Sequence, residues 1–156
     1  MVKYTVFIVM LFIGFAACKS KNEAPVLKWI SIEEAAKLAE GNNKKKFLID
    51  VYTDWCGWCK VMDEKTFTDP QVISYLNENF HVVKFNAEQR ETLTYKDKQY
   101  EWQATGRGGY NQLGYELLNG RMSYPSLVYL NARLELIRIS PGYKEPGRLL
   151  LELESL

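Results

Sequence analysis

The alternation of apolar and polar residues along the chain predicts a mixture of helices and strands. In several segments the apolar residues recur at helical spacing, and these segments carry capping or stop residues typical of helix ends. Shorter apolar runs lie between them and are typical of strands that are covered on both faces. The predicted helices cover residues 32–40, 57–67, 70–80, 110–118 and 146–154, and the predicted strands cover 47–52, 81–85, 126–130 and 134–139.

The order of these elements predicts an α/β fold. The early strand, two helices and following strand imply parallel pairing, because a helical crossover brings the chain back in the same direction. The late strands, joined by a tight turn at Asn131 and Ala132, imply antiparallel pairing. We therefore expect a mixed central β-sheet with helices on both faces. Within 90–109 we expect a hairpin that pairs 93–95 with 100–102, followed by a glycine-rich loop.

The N-terminus differs in composition from the rest of the chain. A basic start is followed by eleven apolar residues, two alanines and Cys18. Eleven helical residues span only ~16 Å, too little for a ~30 Å hydrocarbon core. A basic start, a short apolar core and a small-residue exit are typical of a secretory signal. The predicted organisation is a signal peptide at 1–17, a polar tether at 18–27 and one domain at 28–156.

A signal that ends at a cysteine resembles the lipobox of bacterial lipoproteins, in which this cysteine carries the lipid. The resemblance implies that Cys18 is the lipidated first residue of the mature protein. It also implies attachment to a membrane in the bacterial periplasm or cell envelope. The alternative is plain secretion, with Cys18 playing no part.

Composition and charge narrow the classes of function. A chain of 156 residues suits one domain, and 47% hydrophobic residues exclude an intrinsically disordered protein. Twenty Lys and Arg against nineteen Asp and Glu give a net charge of +1, which is not the charge pattern of a nucleic-acid-binding protein. Three cysteines are too few for a disulfide-dense scaffold.

Two cysteines after the first long strand carry the strongest chemical signal. Cys56 and Cys59 open a helix, and residues three apart on one turn lie close enough to form a disulfide. The unpaired amides at a helix start favour an anion, so Cys56 should have a lowered thiol pKa and act as the nucleophile. Cys59 has the more internal position and should resolve the mixed disulfide.

Other uses of the cysteine pair fit the sequence less well. A structural zinc site needs four ligands, and the chain offers no second cysteine pair and a single histidine, His81. A c-type haem needs histidine after the second cysteine, where this chain has Lys60. The glycines of 105–109 lack the Lys-Ser/Thr of a phosphate loop. We expect no metal or organic cofactor, and a purely structural disulfide remains the alternative.

The segment Trp-Cys-Gly-Trp-Cys-Lys, after Phe-Leu-Ile-Asp-Val-Tyr, resembles the active-site segment of the thioredoxin superfamily. It is most similar to the exported thioredoxin-like domains of bacterial thiol:disulfide interchange proteins. The resemblance covers about 29–156 and implies a thioredoxin-like fold with an insertion at about 90–109. It implies a redox-active disulfide between Cys56 and Cys59, with Gly57 between them in the substrate-binding segment.

The resemblance also implies roles for two charged residues outside the pair. Asp50, six residues before Cys56, matches the family's buried carboxylate, which would act as the base that deprotonates Cys59. Burial in an apolar strand should raise its pKa. Lys84 matches the family lysine that pairs with this carboxylate.

A third set of residues would form the substrate-binding surface. Pro125 matches a cis-proline opposite the cysteines, and Tyr124 before it would offer backbone groups to an extended substrate. Trp55 and Trp58 are expected to line the site. Gly142 weakly matches a later glycine that allows close approach near the site.

The sequence therefore predicts a thiol:disulfide oxidoreductase that acts on protein disulfides outside the cytoplasm. Similarity to reductive family members favours a reductase, which would receive electrons from a membrane protein. The alternative is a non-catalytic, membrane-anchored module that binds peptides along the Pro125 loop and uses its disulfide as a staple.

Overall fold

The computed structural model describes residues 25–106 and 108–156, so the predicted signal peptide, Cys18 and most of the predicted tether lie outside the described residues. The strands are β1 (Trp29–Ile30), β2 (Lys46–Tyr52), β3 (Phe80–Asn86), β4 (Leu93–Tyr95), β5 (Lys98–Tyr100), β6 (Trp102–Thr105), β7 (Gly108–Asn111), β8 (Ser126–Leu130) and β9 (Leu136–Pro141). The helices are α1 (Ile32–Glu40), α2 (Gly57–Lys65), α3 (Pro70–Asn79), α4 (Gln112–Leu117) and α5 (Pro146–Glu154).

Five of the strands form a mixed central sheet in the order β1-β3-β2-β8-β9. The first three strands in this order are parallel, as a helical crossover requires, and β8 and β9 run antiparallel to their neighbours. The predicted mixed sheet is confirmed. The long strand β2 lies at its centre and is buried along its length because both faces are covered.

Helices cover both faces of the sheet. On one face, α1 and α4 bury Ile32 and Leu113 against the apolar side chains of β2, β3 and β8. On the other, α2, α3 and α5 bury Met62, Leu76 and Leu149. After β2 ends at Tyr52, a short turn leads into α2, which begins at Gly57.

Helices α1 and α3 begin where their capping residues predict. The Ser31 hydroxyl accepts a hydrogen bond from the Glu34 amide at 3.1 Å, at the start of α1. The Asp69 carboxylate accepts from the amides of the first turn of α3, and Pro70 occupies a first-turn position where no intrahelical amide is needed. The helix α3 has 10 residues. Within 25–106 and 108–156, no helix is long and apolar enough to cross a bilayer.

The region between β3 and α4 contains two hairpins, whereas the sequence predicts one. β4 pairs with β5, not with 100–102, because Lys96 and Asp97 adopt left-handed conformations and close the turn early. β6 then pairs with β7 where the sequence predicts a loop and the start of a helix.

The second hairpin depends on a contact that the sequence pattern does not reveal. The Trp102 ring lies directly against Gly109, and a Cβ atom at that glycine would come within 2.1 Å of the ring. The Arg90 guanidinium covers the same ring at 4.7 Å from its centroid. The hairpin therefore forms around one tryptophan that only a glycine can accommodate.

Candidate active site

The cysteine pair lies at the junction of β2 and α2. The Cys56 amide donates to the Thr53 carbonyl at 3.1 Å, which turns the chain from the strand into the helix. Cys56 is the N-cap of α2, and its Sγ accepts a hydrogen bond from the Cys59 amide at 3.1 Å. A sulfur at this position faces the positive end of the helix dipole, which stabilises a thiolate once the disulfide is reduced.

The two cysteines form a disulfide, with Cα atoms 5.3 Å apart. Cys56 is 4% exposed and Cys59 is 3% exposed, so the predicted difference in burial is not present in the oxidised pair. The two differ instead in their place on the helix, since Cys56 caps α2 and Cys59 lies within its first turn.

Asp50 is buried in the centre of β2, at 1% exposure. It lies opposite Lys84 in the parallel pairing of β2 with β3, and the Lys84 Nζ donates to Asp50 Oδ2 at 2.6 Å. Its second oxygen, Oδ1, is buried without a hydrogen-bond partner among the described residues. Burial raises the pKa of Asp50 to about 6, although Lys84 opposes the rise.

Lys84 joins two carboxylates from different elements. Besides Asp50 it donates to Asp63, which lies one turn after Cys59 on α2 and is 42% exposed. Burial disfavours the ammonium, but the two carboxylates outweigh it and raise the pKa of Lys84 above its usual value. The sequence analysis missed Asp63. Its i+4 spacing from Cys59, on the same helix face, is the signal that could have found it.

Three aromatic rings surround the same ammonium. The Lys84 Nζ lies 5.0 Å from the ring centroid of Trp29, 4.9 Å from that of Tyr52 and 5.5 Å from that of Phe67. These cation–π contacts hold the lysine in place between its carboxylates. Trp29 is therefore part of the charged cluster as well as of the core.

The loop before β8 lies next to the cysteine segment, since the ring of Tyr124 in this loop contacts that of Trp55. The Tyr124–Pro125 peptide bond is cis, as the resemblance to thioredoxins implies. The Gly142 amide donates to the Pro125 carbonyl at 2.8 Å, and Gly142 has a φ of +85°, a conformation that favours glycine. Gly142 thus ties the end of β9 to the proline loop.

Two exposed aromatic pairs connect the start of α2 with these loops. Trp55 is 66% exposed and meets the Tyr124 ring edge-on, with centroids 5.9 Å apart. Trp58 is 62% exposed and lies 5.4 Å from the Tyr143 ring. The two exposed tryptophans lie on either side of Cys56 in sequence and together offer apolar surface of the kind that binds an apolar partner. Sequence reasoning missed Tyr143.

Trp55 is held by one further group that the sequence analysis missed. Its Nε1 donates to both carboxylate oxygens of Glu88, at 3.1 and 3.0 Å. Glu88 follows β3, and only the fold brings it next to Trp55.

Other residues considered in the sequence lie apart from this site. His81 is bonded to the Asn43 side chain at 3.0 Å and packs on Phe47. Trp102 belongs to the second hairpin. In the part of the chain that the structure describes, no three His, Cys, Asp or Glu side chains are grouped as metal ligands would be.

Solved structures share this fold. A chain titled DsbH Oxidoreductase superposes with a TM-score of 0.60 at 18% identity, covering 85% of either chain. A thioredoxin from Thermus thermophilus superposes with a TM-score of 0.61 at 19% identity, covering 83% of this chain and 85% of its own. The fold is therefore thioredoxin-like.

Curated relatives match parts of the sequence. The thiol:disulfide interchange protein DsbD of Haemophilus ducreyi is 37% identical over 59 residues, which is 34% of this chain and 10% of that protein. Spermatogenesis-associated protein 20 of Mus musculus is 38% identical over 79 residues, covering 49% of this chain and 10% of its own. The chain thus aligns with about a tenth of the length of these relatives.

A family model covers most of the chain. The model named Thioredox_DsbH, described as "Protein of unknown function, DUF255", matches residues 16–131. The matched range contains the cysteine pair, the charged residues Asp50 and Lys84, and the cis-proline Pro125. With its thioredoxin-like fold and the Cys-x-x-Cys pair of a thiol:disulfide oxidoreductase, the chain belongs to the DUF255 family.

Proposed function

We propose that this protein is a thiol:disulfide oxidoreductase that reduces protein disulfides in an extracytoplasmic compartment. The observation that carries the proposal is the Cys56–Cys59 disulfide at the start of α2, in a chain that also buries a carboxylate of raised pKa in the preceding strand. A helix start that stabilises a thiolate and a base with a pKa of about 6 are the two parts that thiol–disulfide exchange needs.

The first step is attack by the reduced pair on a substrate. The Cys56 thiolate attacks one sulfur of the substrate disulfide, forms a mixed disulfide and releases the other substrate sulfur as a thiolate. A thiol with a pKa near 7 is about half ionised at pH 7, against roughly 3% for an unperturbed thiol. The helix start therefore supplies the reactive form of Cys56.

The second step resolves the mixed disulfide. Asp50 accepts the proton from the Cys59 thiol, and the Cys59 thiolate attacks the sulfur of Cys56. The bond between Cys56 and the substrate breaks, the second substrate sulfur leaves as a thiolate, and the disulfide seen in the structure forms. Lys84 positions Asp50 and balances its charge when it is ionised.

The exposed aromatic surface would hold the substrate. Tyr124, before the cis-proline, would offer its backbone to an extended substrate segment, and Pro125 would lie against the disulfide. Trp55 and Trp58 flank Cys56 in sequence and supply exposed apolar area, and Gly57 lies between the cysteines with open space around it. Such a surface favours peptide and protein disulfides over small polar ones.

The proposal includes a cellular context. Cys18 would be lipidated after removal of residues 1–17, and 18–27 would tether the domain to a membrane of the periplasm or cell envelope. Similarity to proteins named thiol:disulfide interchange protein supports this setting. A membrane protein would supply the electrons, since an oxidising compartment does not regenerate a reductant.

The direction of electron flow can be measured directly. The protein would be equilibrated in glutathione buffers of graded ratio, and the redox state of the pair read from the fluorescence of Trp55 and Trp58. A midpoint well below that of the glutathione pool is expected for a reductase. A midpoint above it would make the protein an oxidant.

Catalysis itself is tested by reduction of insulin with dithiothreitol as the electron source. The wild-type protein should accelerate the precipitation of insulin chains, and the Cys56→Ser variant should not. A disulfide that stays closed in every physiological reductant, with no acceleration by the wild type, would support the non-catalytic peptide-binding module instead.

A further inference from the structure

The inserted hairpins and α4 enclose a second groove, with a volume of about 550 Å³. Strands β5, β6 and β7 contribute one wall, and α4 with the turn after it contributes the other. None of the residues that surround the cysteine pair line this groove. A volume of this size is within the range of small-ligand sites. We call it the tyrosine–amide groove, and its defining residues are Gln103, Tyr110, Gln112, Tyr115 and Asn119.

Two tyrosine rings form the apolar part of the groove. Tyr110 on β7 and Tyr115 on α4 stack with centroids 5.4 Å apart and an interplanar angle of 24°. Tyr115 is 49% exposed, so about half of this side chain is open to the groove and to solvent. Stacking with Tyr110 keeps the ring in a fixed orientation, so that it offers a flat apolar surface at little cost in conformational entropy.

Neutral amides form the polar part. Gln103 lies directly opposite Tyr110 in the pairing of β6 with β7, and Asn119 is exposed in the turn after α4. Gln103 is partly exposed and Asn119 is exposed, so both side-chain amides are accessible from solvent. Gln112 uses only its carbonyl oxygen, which accepts from the Glu101 amide at 3.1 Å, and keeps its NH₂ group available. Each amide both donates and accepts, as a ligand rich in hydroxyl groups requires.

The charged side chains of the groove neutralise each other. The Lys98 Nζ donates to Glu116 at 2.7 Å, and the Tyr100 hydroxyl donates to the other oxygen of the same carboxylate at 2.8 Å. The hydrogen bond from Lys98 lowers the pKa of Glu116, so the carboxylate stays ionised and paired near neutral pH. A charged ligand would have to compete with this pair, whereas an uncharged ligand would not.

From these features we infer that the tyrosine–amide groove binds a neutral saccharide. The flat Tyr115 ring matches the C–H face of a pyranose, and the amides of Gln103, Gln112 and Asn119 match its hydroxyl and acetamido groups. The inference does not depend on the redox activity, because the groove shares no lining residue with the cysteine site. It gives the insertion a function as a second, saccharide-binding site on the oxidoreductase.

The inference is tested by NMR titration of the ¹⁵N-labelled protein with two neutral oligosaccharides, maltotetraose and tetra-N-acetylchitotetraose. At least one probe should bind saturably, with a Kd of about 1 mM or tighter, and shift the side-chain amide signals of Gln103 and Gln112. A negatively charged hyaluronan tetrasaccharide should bind more weakly. Absence of saturable binding by both neutral probes, or stronger binding of the charged one, would overturn the inference.

Matched variants separate the groove from the rest of the surface. Tyr115→Ala should weaken binding about tenfold, which corresponds to the loss of about 1.4 kcal/mol of stacking. The control is Leu151→Ala, which removes an exposed apolar side chain outside the groove, on α5, and should leave saccharide binding unchanged. Gln112→Ala keeps both tyrosines and should weaken binding severalfold even if Tyr115→Ala perturbs α4. Insulin reduction should be unchanged in all three variants, and undiminished saccharide binding by both Tyr115→Ala and Gln112→Ala would contradict the assignment.

Discussion

The cysteine end of the sheet and the two hairpins between β3 and α4, the proposed insertion, differ in the environment of their carboxylates. Asp50, beside the cysteine segment, is buried, has a raised pKa and has one oxygen without a hydrogen-bond partner among the residues that the structure describes. Glu116, beside the insertion, is half exposed, accepts from both Lys98 and Tyr100, and has a lowered pKa. Asp50 can take up a proton near neutral pH because burial raises its pKa to about 6, whereas the hydrogen bond from Lys98 lowers the pKa of Glu116 and keeps it ionised. The comparison separates a region suited to proton transfer from one suited to recognition.

The largest expected effect comes from removing the resolving thiol. Cys59→Ser should abolish turnover of insulin and accumulate a mixed disulfide on Cys56, because the second attack has no nucleophile. Mass spectrometry of the non-reduced protein would detect the adduct. Cys56→Ser serves as the control and should trap nothing. Turnover by Cys59→Ser at the wild-type rate would contradict the assignment of Cys59 as the resolving thiol.

The next effect concerns the base. Asp50→Asn should slow resolution of the mixed disulfide about 100-fold at pH 7, within the range of general acid–base catalysis. Single-turnover kinetics with a trapped peptide would measure this step. The first attack by Cys56 should change little, and an equal loss in both steps would argue against a role as base.

The same variant should change the pH dependence of stability. A carboxyl whose pKa is raised to about 6 in the folded state stabilises the fold below its ordinary pKa and loses that contribution as the pH rises through 6. The wild-type protein should therefore lose on the order of 3 kcal/mol between pH 4 and pH 7 from this group. Asp50→Asn should lack the loss and be more stable at pH 8. Urea unfolding at pH 4.5 and pH 8 would show it, and parallel pH profiles would contradict the buried-acid account.

A smaller effect is expected from the two groups that act through Asp50. Lys84 lowers the pKa of Asp50 and Asp63 raises it, so their removal should have opposite signs. In Lys84→Met the pH midpoint of the resolving step should rise by about one unit, and in Asp63→Asn it should fall by less. Shifts in the same direction would show that the two residues act on structure alone.

The smallest effect on redox activity is expected from the insertion. Gly109→Ala places a Cβ atom where the Trp102 ring lies and should destabilise the second hairpin by roughly 1–3 kcal/mol. Hydrogen exchange of β6 and β7 would accelerate, while insulin reduction should remain within about twofold of the wild type. Gly108→Ala, at a glycine with open space around it, is the control. A large loss of insulin reduction in Gly109→Ala, but not in Gly108→Ala, would show that redox activity depends on the second hairpin.

Much of the cysteine end is predictable because its signals are local. The buried strand, the cap at Cys56 and the spacing to Cys59 lie within a few residues, and a lone aspartate in an apolar strand stands out. Asp63 and Glu88 were missed because each acts on a residue from another element. The insertion was predicted poorly because its register depends on two left-handed residues and on one glycine under a tryptophan ring.

The sequence by itself determined the helices, four of the five strands of the central sheet and the meeting of two cysteines at a helix start, since periodicity and i+3 spacing are properties of the chain alone. Only the tertiary structure decided that Lys84 donates hydrogen bonds to two carboxylates. The same holds for the two aromatic pairs beside the cysteine segment and for the groove beside α4. The physical reason is that pairing register and side-chain burial depend on residues far apart in sequence. Burial among such residues raises the pKa of Asp50, and the contacts between distant residues give the surface its shape.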